Sequence, residues 1–189
     1  NAQVWSENEL RPLSLIVDDE KISRLIDPVD AKTVHVDQVI DATGMWVLPG
    51  GVDYHVHISE GAETFQDGSR CAAAGGITTV LDMAPFHACI TVDQMVKKAS
   101  SGEAACVIDF GLIAGIVIEN SDLIHLDDVS KAGAAYFKVF QPAEPPVSTE
   151  TLWRSVQTAA KNGLRLGLHA EDPSCFMPES DENNPLSFP

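Results

Sequence analysis

Two imidazoles two residues apart, His55 and His57, close the segment Val47-Leu48-Pro49-Gly50-Gly51-Val52-Asp53-Tyr54-His55-Val56-His57. In extended backbone, residues i and i+2 project from the same face. Both rings can therefore reach one metal ion from the end of a strand, each offering a neutral nitrogen at about 2.0–2.1 Å. A His-x-His pair alone is a weak signal, since solvated and core histidines are commoner. Lys138 lies between apolar neighbours in Tyr136-Phe137-Lys138-Val139-Phe140, and His169 stands before Ala170-Glu171-Asp172. A lysine in an apolar strand has two readings. It can snorkel outward or pair with a carboxylate. Alternatively, its desolvated amine loses charge and becomes nucleophilic. Such an amine can add CO2 to form a carbamate, a carboxylate-like bridge between two metals. His169, at a strand terminus before two acids, reads as a ligand rather than a satisfied core histidine. Glu171 and Asp172 read as loop caps in preference to orienting groups.

The elements that must position these side chains follow from patterning. Residues 13–18, 22–26 and 34–40 alternate apolar and polar side chains, with Asp18-Asp19-Glu20-Lys21 as a hairpin turn. They predict a small antiparallel sheet unit over residues 1–48. From residue 49 to 189, strands and helical stretches alternate. Strands are expected over 47–58, 77–83, 106–114, 135–140 and 164–169. Helical stretches are expected over 65–74, from Thr91 as N-cap to Ser100, partly over 120–132, and from Ser148-Thr149 to Lys161, ended by Gly163. Five βα units predict an α/β fold with a parallel sheet and helices outside. They suit part of a (β/α)8 TIM-type barrel, and a doubly wound sheet also fits. No GxGxxG follows the first strand, which leaves dinucleotide binding without support. In a barrel, the C-terminal strand ends converge on one mouth, and His55, His57, Lys138 and His169 would meet there.

Composition narrows the function classes. The chain has 189 residues, 12 Lys and Arg against 28 Asp and Glu, and a formal charge of −16. That balance argues against nucleic-acid binding, which needs basic clusters. No apolar run is long enough for a transmembrane helix, and the start lacks the pattern of a signal peptide. Cys71, Cys89, Cys106 and Cys175 show no CxxC spacing and read as free, packed thiols in a reducing, cytoplasmic compartment. The acidic stretch 179–185 reads as a solvated loop.

The segment through His57 resembles the first-strand signature of the amidohydrolase superfamily, in particular the cyclic amidohydrolases: dihydroorotase, allantoinase and hydantoinase. Residues 70–83 are similar to the second-strand segment of that group, 137–140 to the carboxylated-lysine strand, and 168–172 to the third-histidine strand. The resemblance covers nearly the whole chain. It implies two divalent metal ions, zinc in most members, with His55 and His57 on the first. Lys138, carboxylated, would bridge both, and His169 would bind the second. It implies hydrolysis of a C–N bond in a small cyclic amide or ureide by a hydroxide bridging the metals, with Lys138 as the catalytic bridging group. It also implies homo-oligomers.

Departures from the pattern are specific. Family members use a further His on the sixth strand and an Asp on the eighth. Here the strand signals stop at five, so the chain is expected to be the N-terminal part of a longer barrel, inactive alone or associated with the missing half. Dihydroorotases carry an Arg after the second His, where Ile58-Ser59-Glu60 stand here. The Asn of the second-strand loop is absent from Asp82-Met83-Ala84-Pro85-Phe86-His87. The Tyr that hydantoinases place five residues beyond the lysine is Ala143. An allantoinase-like activity is the least contradicted. Hydrolysis of an acyclic dipeptide or N-acyl amino acid is a further possibility, since related amidohydrolases use a similar metal site. A non-catalytic scaffold of the same fold is the alternative from another class. His87 and His125 read as surface loop positions and His35 as structural.

Overall fold

The computed structural model describes residues 2–59, 63–83, 91–143 and 145–171. His87, Cys89, Asp172, Cys175 and the acidic stretch 179–185 lie outside them. The chain divides into two compact units, Asn1–Gly50 and Gly51–Pro189.

In the first unit, strands β1 (Ala2–Ser6), β2 (Glu9–Asp18), β3 (Lys21–Ile26) and β4 (Trp46–Val47) form a sheet ordered β3-β2-β1-β4. Glu7 and Asn8 both have positive φ, 53° and 65°, the twist that suits a two-residue hairpin. They join β1 to β2 with Ser6 opposite Glu9. The β2–β3 hairpin turns where the Asp18–Lys21 tetrad places it. A single helical turn, α1 (Pro28–Ala31), is capped by the Asp27 side chain. Residues 34–40 form no strand, contrary to their alternation, and Val39 and Ile40 are about four-fifths exposed at 80% and 81%. Alternation marks a strand only where a neighbour takes up its backbone groups. Here β1 is flanked by β2 and by β4, which runs parallel with Trp46 opposite Gln3. Neither β1 nor β4 stands out by alternation.

The second unit is a parallel sheet ordered β5-β6-β7-β8-β9. Its strands are β5 (Gly51–Val56), β6 (Ile77–Met83), β7 (Asp109–Val117), β8 (Phe137–Phe140) and β9 (Leu166–His169). The crossovers contain α2 (Phe65–Ala74), α3 (Val92–Ala105), a 3-10 turn Asn120–His125 running into α4 (Leu126–Lys131), and α5 (Thr149–Asn162). The fold is α/β, a curled five-stranded half-barrel consistent with part of a TIM barrel. The doubly wound alternative is set aside.

Helices α2, α3 and α5 each begin on a side-chain cap. Thr64 accepts from Asp67 N–H, Thr91 and Gln94 form a reciprocal capping box, and Ser148 accepts from Thr151 N–H. Gly163 ends α5 in the left-handed region at φ 65°. α3 continues five residues beyond the expected Ser100, past Gly102. A Cβ on Gly102 would lie 2.5 Å from the Phe110 ring, so close packing on β7 requires glycine there. β7 starts three residues later than expected, at Asp109.

Two apolar layers hold the sheet. Val80, Leu112, Ala114, Phe137 and Val139 face the helices and pack with Phe65, Met95, Leu126, Val129 and Ala159. Met83, Ile113 and Ile116 form the inner layer, with Leu81, Tyr136 and Phe140 against them. The β7–β8 register shifts between Ala114 and Ile116. That bulge inserts one residue, so Ile113 and Ile116 share the inner face although three positions apart.

Candidate functional site

The β5 strand carries His55 near its C-terminal end, and His57 follows immediately. Lys138 is the second residue of β8, between Phe137 and Val139, which are buried toward the helices. Period-two alternation therefore turns Lys138 inward, beside Tyr136 and Phe140. β5 and β8 are three strands apart in the sheet order. On a flat sheet that is roughly 14 Å at about 4.8 Å per strand. Yet Lys138 Nζ lies 3.1 Å from His55 Nε2. The curl of the sheet closes the distance, as barrel geometry requires.

His55 is held on both sides. Its Nδ1 lies 2.7 Å from the Tyr136 hydroxyl, which donates to the Tyr54 carbonyl at 3.1 Å. The His57 ring packs edge-on against His55 with centroids 5.2 Å apart. Burial lowers the His55 pKa, and Lys138, His57 and His169 lower it further against an opposing pull from Asp53. Burial also lowers the Lys138 pKa. Both groups are thus biased toward their neutral forms, in which nitrogen has a lone pair. Burial, with Tyr54 adding, pushes the Tyr136 phenol up to about 12, so that hydroxyl keeps its proton.

His169 ends β9, the far edge of the sheet. Its ring packs on Phe140 at 4.7 Å, and its Nε2 pairs with Glu171 Oε1 at 2.7 Å. Glu171 is therefore a ring partner of His169, where a loop cap was expected. The structure brings His55, His57 and Lys138 together and sets His169 at the edge with a carboxylate of its own. Among the described residues, no three His, Cys, Asp or Glu side chains are grouped so as to hold a metal ion.

Asp82 positions the segment after His57. Fully buried, it accepts from Ile58 N–H at 2.9 Å and from the Ser59 hydroxyl at 2.6 Å. It also pairs with Lys98 Nζ at 2.6 Å. Sequence reasoning did not single out Tyr136 or Lys98 and noted Asp82 only within a family segment. Tyr136 shares strand parity with Lys138, and Asp82 is the one acid of an apolar strand; those were the available signals.

The other expectations resolve individually. His125 is exposed at the end of the 3-10 turn, and His35 is exposed in the irregular stretch 34–40. Cys71 is an exposed free thiol, contrary to the packed position expected, because it lies on the outer side of α2; Cys106 is half-buried and free. Ala143 packs against the outer apolar layer. No helix among the described residues is long and apolar enough to cross a membrane. A shallow groove lined by Ser59, Phe65, Lys98 and Ser101 contains none of the four expected ligands.

Comparison with known proteins agrees with this architecture. The allantoinase of Deinococcus radiodurans is 36% identical over 146 residues, 71% of this chain and 32% of its own length. The dihydroorotase of Methanosarcina acetivorans is 30% identical over 182 residues, 91% of this chain and 38% of its own. The allantoinase of Bacillus velezensis is 32% identical over 169 residues, 83% and 36%. The chain thus spans about a third of the length of these relatives. The model of the amidohydrolase family matches residues 46–182, from β4 through all five parallel strands, and the chain belongs to that family.

Proposed function

We propose that this chain supplies the first metal-binding half of a hydrolase that cleaves a C–N bond in a small cyclic amide or ureide. The observation that carries the reading is the 3.1 Å approach of Lys138 Nζ to His55 Nε2 on the inner face of the half-barrel. The donor set fits a divalent cation of the zinc class. His55 and His57 offer imidazole nitrogens from one strand end, and a half-buried amine stands beside them. Among the described residues, histidine and acid side chains do not by themselves form a group of three. A carboxylate built on Lys138 is therefore the member such a centre needs.

In this reading His55 and His57 would hold one ion, and carboxylated Lys138 would bridge it to a second, taken by His169 once Glu171 releases Nε2. Bound ions of this kind supply a water of pKa lowered to about 7 and polarise the substrate carbonyl. The chain's own residues bind and orient: Tyr136 braces His55, Asp82 anchors the loop after His57, and partial burial favours the neutral form of the Lys138 amine. The remaining metal-binding His and the proton-shuttling Asp of such hydrolases would come from sequence beyond these five strands, or from an associated chain. Relatives named allantoinase and dihydroorotase support a cyclic ureide or amide as substrate. The missing Arg after His57 favours the allantoinase-like side. Free Cys71 and Cys106 support a reducing, cytoplasmic setting.

The His169–Glu171 pair favours a second reading, a non-catalytic amidohydrolase-like scaffold whose third histidine is occupied by its own carboxylate. Metal content per chain, measured by elemental analysis after reconstitution with zinc and bicarbonate, separates the two. Nearly two ions per chain supports the hydrolase centre. A metal-free chain overturns assembly of the centre on these five strands and favours the scaffold.

A further inference from the structure

We infer that Tyr136 is a positioning residue that fixes His55 as the Nδ1-protonated tautomer and so presents the Nε2 lone pair to the site. The inference rests on the metal-centre reading for its purpose and on hydrogen-bond geometry for its content.

A phenol has one proton. The Tyr136 hydroxyl gives its proton to the Tyr54 carbonyl at 3.1 Å. Toward His55 Nδ1, 2.7 Å away, the same oxygen must then accept. Nδ1 therefore carries the ring proton, and Nε2 carries the lone pair. The opposite side of the ring is compatible with this tautomer. Lys138 Nζ sits 3.1 Å from Nε2, and an amine N–H can donate to the lone pair there.

The position of Tyr136 is built into the sheet. It directly precedes β8, two residues before Lys138, so both project to the inner face. Gly167 of β9 leaves room for its ring, since a Cβ there would lie 2.8 Å from Tyr136 Cε2. The hydroxyl thus reaches from the β8 side of the half-barrel to β5. It bonds both the carbonyl of Tyr54 and the ring of the next residue. A metal-binding histidine takes its tautomer and ring orientation from the partner of its other nitrogen. Here that partner is a phenol anchored on the same strand as the histidine.

The test is nitrogen-detected NMR of imidazole tautomers in the metal-free 189-residue chain, with His55 assigned by its loss in His55→Gln. The parent should show His55 protonated at Nδ1; protonation at Nε2 would overturn the inference. Because the Lys138 amine also contacts the ring, the discriminating background is Lys138→Met. There Nδ1 protonation should persist, and it should give way to a mixture when Tyr136→Phe is added. Persistence in the double variant would remove Tyr136 from the role. Zinc affinity should fall about 10–100-fold in Tyr136→Phe alone, and unchanged affinity would count against it. If the parent binds no zinc, the metal-centre reading fails, while the tautomer spectra still decide this one.

Discussion

Asp82 and Lys98 form an ion pair of 2.6 Å with the carboxylate fully buried and the lysine side chain 12% exposed. The same carboxylate takes the Ile58 amide and the Ser59 hydroxyl. One buried acid therefore ties α3 to the two residues that follow His57. Its position on β6, next to β5 in the sheet, makes it the fixed point from which the His57 end of β5 is held.

Removing one partner of a buried pair leaves an uncompensated charge, at a cost of about 3–5 kcal/mol. Lys98→Met should destabilise the chain by that order, and Asp82→Ala should do so while also freeing Ile58 N–H. The double variant should cost clearly less than the two singles together. Urea unfolding measures all three. Additivity within about 0.5 kcal/mol would show that the two groups are not coupled.

Gly68 lies on the α2 face that meets the same segment. A Cβ there would stand 2.5 Å from Ile58 Cβ, an atom attached directly to the backbone. Gly68→Ala should therefore displace Ile58 and destabilise by about 1–3 kcal/mol. Alanine's better helix propensity would otherwise predict a gain. A higher unfolding midpoint would show that α2 can retreat without strain.

Burial raises the Cys106 thiol above its ordinary value of 9.0, against a smaller opposing effect from the Ser69 hydroxyl. A raised folded-state pKa means that the folded chain holds this proton where the unfolded chain loses it. Its contribution is complete below about pH 9 and falls as pH rises beyond that. Stability measured from pH 8 to 10 should decline less steeply in Cys106→Ala than in the parent. Equal slopes would assign the decline to other groups. Alkylation of Cys106 should also lag that of exposed Cys71 at neutral pH.

The metal-centre reading makes a residue-level prediction. His55→Ala and Lys138→Ala should each lose bound zinc and any hydrolysis, whereas His125→Ala, exposed and remote along the chain, should retain the parent's metal content. Unchanged zinc in both site variants would remove the assignment.

The sequence was sufficient for the local part of this fold. Phe65–Ala74 and Ile77–Met83 could be delimited because their periods, glycine boundary and β-branched content agree with one another. Thr91 could be chosen as a cap because capping is a contact across three residues. Alternation alone misled at 34–40, since it reports a face and says nothing of whether a strand lies alongside. It also passed over Ala2–Ser6, whose partner β4 lies some forty residues away. At the site, His55, His57, Lys138 and His169 were readable as residue types at strand ends.

Which groups touch was a different matter. The Tyr136–His55 contact joins positions 81 apart and the Lys138–His55 contact positions 83 apart. Both exist only because a five-stranded sheet curls until its first and fourth strands face each other. Strand order and residue type are written locally in the chain. The curl, the bulge that sets the inner face of β7, and the seating of Tyr136 over Gly167 arise from packing between distant segments. Tertiary structure alone decided that His55 would be braced by a phenol, whereas the His169–Glu171 pair joins residues two apart.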